Sequence, residues 1–139
     1  MIKRPCFKII VIIILKRIIL IIIDKKIYSK LRSGRLKPER ILDLHGWRYD
    51  DAQKKVEKFV SQAYQDRIRL ILIITGKGKK LKDNESFFSY KSGIIKHSLP
   101  RWLNSNSVNK LILNVSFAHV SHGGTGAYYV YLRRKYYKT

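Results

Sequence analysis

The alternation of apolar and polar positions starts at residues 41–46, Ile-Leu-Asp-Leu-His-Gly. As a strand, its period of two puts Asp43 and His45 on one face and Leu42 and Leu44 on the other, with Gly46 ending it. Asp50 then offers an N-cap, and Gln53 stands in capping-box position behind it. Ala52, Val56, Phe59, Val60 and Ala63 recur at helical spacing and predict the buried face of a helix ending near Asp66. Lys54, Lys55, Glu57, Lys58 and Gln62 form its solvated face. Residues 70–74, Leu-Ile-Leu-Ile-Ile, are a continuous apolar run of strand length, as expected of an interior parallel strand. Strand, helix and strand make a βαβ unit, for which a right-handed crossover is expected.

Residues 81–92 lack a clear period and are expected to form a loop. Ser92 is placed to cap a second helix. On it Ile95, Leu99, Trp102 and Leu103 share a face, and Pro100 predicts a bend or a new turn. Residues 108–115 read as a third strand and residues 117–126 as a glycine-rich turn. The last strand, 127–134, alternates Tyr128, Val130 and Leu132 against Tyr129, Tyr131 and Arg133. The predicted class is α/β: a two-layer sandwich of a four-stranded mixed sheet and two helices, ordered βαβαββ, over residues 40–135. Residues 136–139 are a short tail.

The start of the chain has a different pattern. Residues 1–23 are isoleucine-rich and of low complexity. A membrane span needs about 20 mostly apolar residues, and here Lys16 and Arg17 interrupt the run at 9–23, so a membrane is not an expected partner. No small residues mark a signal-peptide cleavage site. Residues 24–39 form a basic arm, with Ser33-Gly34 breaking any helix in it.

Charge changes the picture further. Across 139 residues, 30 Lys and Arg stand against 9 Asp and Glu, a formal net charge of +21 that points to a polyanionic partner. No acid follows Glu85, whereas Lys91, Lys96, Arg101, Lys110, Arg133, Arg134, Lys135 and Lys138 do. The single cysteine, Cys6, allows no internal disulfide and no Cys/His zinc spacing, and a reducing, cytoplasmic setting is expected.

Candidate chemistry gathers at strand ends. A carboxylate beside an imidazole can fix its tautomer or share a metal with it. The second strand runs into Thr75-Gly76-Lys77-Gly78-Lys79, whose glycine N–H groups and lysines suit a phosphate, although the Walker A spacing is absent. In a βαβ unit this loop lies beside His45. His122 and the glycines Gly123, Gly124 and Gly126 form a second such turn. Trp47 is the candidate for base stacking, and Arg133 and Arg134 are candidate nucleic-acid contacts. Trp102 reads as core, His97 as an exposed helix residue and His119 as a strand-end histidine.

Three ordered motifs then resemble one family. Leu-Asp-Leu-His-Gly at 42–46, Ile-Thr-Gly-Lys-Gly at 74–78 and His-Gly-Gly-Thr-Gly-Ala at 122–127 are similar to the Smr (small MutS-related) domain. Pro100-Arg101-Trp102-Leu103 looks like the standalone bacterial members. The resemblance covers roughly residues 24–135. It implies nucleic-acid binding, endonuclease activity in some members, and a fold similar to the carboxy-terminal domain of a bacterial translation initiation factor. Thr75 stands where many relatives have histidine.

On this reading Asp43, His45 and His122 are the catalytic candidates, and DNA and RNA both remain open as substrates. RNA supplies its own 2′-hydroxyl nucleophile. DNA needs a water, for which Mg²⁺ is the candidate cofactor, with Asp43 and the histidines as its only candidate ligands. The rival class is a binding module without chemistry, in which the same loops contact phosphates. A third is an adaptor at the ribosome or a membrane, built on the basic arm and residues 9–23. No feature specifies an oligomer.

Overall fold

The computed structural model describes residues 25–77 and 90–135. The isoleucine-rich start, Gly78, Lys79 and the tail from 136 lie outside the described residues. The chain divides into two compact units, Met1–Leu36 and Lys37–Thr139. In the first, residues 25–32 are helical and the helix ends at Ser33-Gly34. Gly34 takes φ +69°, a conformation glycine adopts without Cβ strain. The Gly34 and Arg35 N–H groups donate to the Leu31 and Lys30 carbonyls at 3.1 and 3.0 Å.

The second unit opens with β1 (Arg40–Asp43). It is shorter than the pattern predicts because Leu44 to Trp47 form a β-turn. The Trp47 N–H donates to the Leu44 carbonyl at 3.1 Å, and Gly46 takes φ +76°, the value a type II turn requires at its third position. The sidedness holds: Leu42 and Leu44 are buried, while Asp43 and His45 face solvent.

Helix α1 (Tyr49–Gln65) begins two residues earlier than expected. Arg48 occupies the N-cap without a side-chain hydrogen bond, and Asp50 and Asp51 lie in the first turn. There their carboxylates face the positive end of the helix dipole instead of capping it. The predicted apolar face is the buried one, with Ala52, Val56, Val60 and Ala63 fully enclosed. Each enclosed valine contributes about 1.5–3 kcal/mol relative to exposure.

Strand β2 (Leu70–Ile74) pairs in parallel with β1, Leu42 opposite Ile73 and Asp43 opposite Ile74. Glu39 locks its entry, one carboxylate oxygen accepting the Arg69 and Leu70 N–H groups at 2.9 and 3.2 Å. Helix α2 (Tyr90–Leu103) buries Ile95, Leu99, Trp102 and Leu103 as predicted. It starts ahead of Ser92, so that residue lies in the first turn and not at the cap. Pro100 does not end it. A proline at this position leaves the carbonyl four residues back without its helical donor, and that carbonyl, of Lys96, accepts the Tyr128 hydroxyl at 3.1 Å.

Strand β3 (Ile112–Phe117) starts later than the predicted 108, because Asn109–Leu111 coil into a 3₁₀ turn. Strand β4 (Ala127–Leu132) lies between β2 and β3, antiparallel to both, giving the order β1-β2-β4-β3. The expected mixed sheet with two helices is the architecture found. Tyr128, Val130 and Leu132 join the core with Ile71, Ile73 and the helices. Tyr129 and Tyr131, on the other face of β4, are buried as well.

Candidate functional site

The register brings three of the sequence motifs to one end of the sheet. Asp43 faces Ile74 across the β1–β2 ladder, and the Leu44 N–H extends it by donating to the Ile74 carbonyl at 2.8 Å. Ile74 in turn faces Ala127, the first residue of β4. The ends of β1 and β2 and the turn before β4 are therefore neighbours.

Within this end, Asp43 and His45 form a built pair. One Asp43 oxygen, Oδ1, accepts the backbone N–H of His45 at 3.0 Å and faces its ring Nδ1 at 2.8 Å. A carboxylate accepts, so Nδ1 is the protonated nitrogen of the neutral ring, and Nε2 keeps its lone pair. The ring is 77% exposed and the carboxylate 46%. The Asp43 carboxyl is held below the ordinary value of 3.8, first by the His45 backbone N–H and then, against a burial effect that opposes it, by the imidazole. An oriented imidazole with a free nitrogen in solvent is able to accept a proton.

Thr75 and Gly76 behave differently from the expected phosphate cradle. Both backbone N–H groups donate to the Gly126 carbonyl, at 2.9 and 3.0 Å. The Thr75 hydroxyl points at the same oxygen at 3.2 Å, and the residue is 4% exposed. These donors face protein instead of an incoming anion. What the turn offers outward is the exposed side chain of Lys77. Gly126 makes the contact possible: a Cβ there would meet Lys77 Cγ at 3.0 Å and the Gly76 carbonyl carbon and Lys77 nitrogen at 3.1 Å.

His122 sits on the 3₁₀ turn Val120–His122. Its Nδ1 hydrogen-bonds the Tyr129 hydroxyl, with the rings edge to face at 5.7 Å between centroids. Strand alternation puts Tyr129 and Asp43 on the same sheet face, away from α1 and α2. Gly123 and Gly124 take φ +111° and +57° to fold this loop back. His119 caps the turn by accepting the Ser121 N–H on Nδ1 at 3.2 Å, a structural role. His97 is exposed and Trp102 is core, as the pattern predicts.

Two predicted contacts do not join the site. Arg133 and Arg134 follow β4 at its opposite end, about 20 Å from Ala127 at strand rise. Trp47 does join it. The residue is 42% exposed, beside a groove of about 600 Å³ lined also by Gly46, Arg48, Asp51, Lys54, Lys55 and Lys58. Those lysines were expected to be a plain solvated face. The signal that sets them apart is Lys54 and Lys58 at i, i+4, a like-charge spacing that disfavours the helix by itself. Tyr129 carries no such signal: nothing in the spacing of His122 and Tyr129 marks the bond between them. Mg²⁺ prefers oxygen ligands, commonly one or two carboxylates. No cluster of three or more His, Cys, Asp or Glu that could hold a metal is assembled among the described residues. Asp43 Oδ1 is engaged by His45, which leaves Oδ2 as the oxygen of the pair that would hold the ion together with substrate phosphates.

The Smr domain family model matches residues 42–133. The chain is 32% identical over 108 residues to the probable DNA endonuclease SmrA of Escherichia coli (strain K12), covering 78% of this chain and 52% of that protein. It is 26% identical over 81 residues to the ribosome rescue factor SmrB of Shewanella sp. (strain W3-18-1), covering 58% of this chain and 39% of that protein. It thus spans about half the length of the first of these curated relatives and less of the second. Among solved structures, YdaL, a stand-alone small MutS-related protein from Escherichia coli, aligns with a TM-score of 0.59 at 33% identity, over 77% of this chain and 74% of that one.

Proposed function

The chain belongs to the Smr domain family, and from that premise we propose that it binds nucleic acid and cleaves the phosphodiester backbone at the Asp43–His45 end of the sheet. The observation that carries this reading is the double grip of Asp43 Oδ1 on the backbone and ring of His45. A site that only binds phosphate gains nothing from a carboxylate there, whereas a proton-transfer site gains an imidazole in one tautomer.

On this reading His45 Nε2 takes the proton of the nucleophile, the 2′-hydroxyl of RNA or a water for DNA. The Lys77 ammonium meets the charge that grows on the phosphoryl oxygens. His122, steadied by Tyr129, is the second proton-transfer group and returns a proton to the leaving 5′-oxygen. The names of the relatives, one a probable DNA endonuclease and one a ribosome rescue factor, support a nucleic-acid substrate and make the ribosome a candidate partner. The lone Cys6 agrees with a cytoplasmic setting.

The test is cleavage by the full chain of labelled single-stranded RNA and of supercoiled plasmid, each with Mg²⁺ and with EDTA, beside His45→Ala. Loss of general acid–base catalysis lowers the rate by about 100-fold or more, with binding retained. Cleavage by His45→Ala at the parental rate sinks the assignment. One observation favours a second reading, a binding module without chemistry: the inward Thr75 hydroxyl and the commitment of the Thr75 and Gly76 N–H groups to Gly126. Binding without cleavage of either substrate would support it.

A further inference from the structure

We propose that the groove beside the Asp43–His45 pair is a guide for single-stranded nucleic acid, with Trp47 stacking one unpaired base and Arg48, Lys54, Lys55 and Lys58 taking its phosphates. The inference rests on the nucleic-acid reading above and adds to it a substrate class: unpaired segments instead of duplex.

The groove is continuous with the candidate site, since Gly46, which lines it, directly follows His45. Trp47 is not a loose surface ring. Its N–H closes the Leu44–Trp47 turn at 3.1 Å, and the next residue is the N-cap of α1. The backbone at Trp47 is therefore fixed, and the residue is 42% exposed beside the cationic groove, where the face of its ring is open to a base. From Arg48 to Lys58 the helix advances about 15 Å, at 1.5 Å per residue, enough for a few nucleotides. Lys54 and Lys58 repel each other on one helix face, a cost an anionic occupant removes.

The combination of an aromatic ring and a row of cations selects among polyanions. Bases inside a duplex are stacked on each other and offer no face to an indole, whereas an unpaired base does. The cations track the backbone in either case. A strand with its base on Trp47 and phosphates along Arg48 to Lys58 has its other end at Gly46, the residue after His45, so the seat on the groove decides which bond reaches the imidazole.

The experiment is fluorescence anisotropy with the full chain and labelled oligonucleotides of one sequence: single-stranded RNA, single-stranded DNA and the two corresponding duplexes. His45→Ala serves as the parent in all binding arms, so that cleavage does not consume the probe. Trp47→Ala is expected to weaken single-strand binding about ten-fold and to leave duplex binding within two-fold. Trp47→Phe is expected to recover most of the loss, which also shows that the fold is intact. Lys54→Gln and Lys58→Gln, each made singly, are expected to weaken single-strand binding by more than Lys110→Gln, one charge removed from an exposed position beyond the groove.

Equal or tighter binding of duplex, or single-strand affinity unchanged by Trp47→Ala, overturns the proposal. The two single-stranded arms decide between RNA and DNA. If these binding results hold and the parental chain cuts nothing, the nuclease reading falls and the guide stands. If His45-dependent cutting is found but Trp47→Ala neither weakens binding nor slows it, the guide falls and the nuclease stands.

Discussion

At Asp43 a single oxygen does two jobs, and the substitution Asp43→Asn separates them. The amide carbonyl still accepts the His45 N–H but brings no charge to the ring. The sign of the effect follows from the lowered pKa of Asp43. A carboxyl depressed by folding adds stability that is complete above its ordinary value of 3.8 and is lost as pH falls through the lowered one. The melting difference between parent and Asp43→Asn is therefore expected to close as pH falls below about 4. It should not exceed about 1 kcal/mol, because both side chains are largely exposed. Thermal denaturation above and below that pH checks it; a difference that widens below pH 4 contradicts the pairing. At this scale the sequence was readable for Asp43 and His45, because alternation alone fixes which face they share. It was opaque for Thr75, whose hydroxyl turns inward to a carbonyl 51 positions away, and for Tyr129, whose bond to His122 depends on how a glycine turn folds back.

Between elements, Pro100 and Tyr128 tie α2 to the sheet. The proline leaves the Lys96 carbonyl without a helical donor, and the tyrosine hydroxyl supplies one at 3.1 Å. Tyr128→Phe is expected to cost about 1–3 kcal/mol, the desolvation of an unpaired carbonyl. Made in a Pro100→Ala background it should cost less, since alanine restores the N–H that the carbonyl lacks. A double-mutant cycle by urea denaturation is expected to show a coupling of about 1 kcal/mol; additivity would mean the hydroxyl does not serve that carbonyl. The elements themselves were legible wherever burial drives them. The face of α1 and the run of β2 follow from apolar spacing. The starts of α1, α2 and β3 did not, because Arg48 takes a cap without bonding through its side chain and Asn109–Leu111 coil although their neighbours are apolar. Local propensity is a weak guide where tertiary packing sets the boundary.

Over the whole chain, a net charge of +21 makes affinity a function of salt. The four basic groove residues, Arg48, Lys54, Lys55 and Lys58, each add about 0.7 to the slope of log affinity against log salt for a single strand. Their sum gives a fall of about fifty-fold between 50 and 200 mM salt from the groove alone. A titration of single-strand binding across that range checks the figure, and the Lys54→Gln/Lys58→Gln slope should be shallower by about 1.4. A slope unchanged in that variant would place the phosphate contacts elsewhere. Among the described residues no helix is long and apolar enough to cross a membrane.

The bond from Thr75 to Gly126 also sets an order in time. As the chain is synthesised, β1, α1 and β2 are complete well before the residues that join them at Gly126 exist. Until β4 arrives, one edge of β2 has no partner, and an open strand edge is a template for other chains. Burial of that edge and assembly of the candidate site are the same event, and β4, the fourth of the described strands to be made, brings both about.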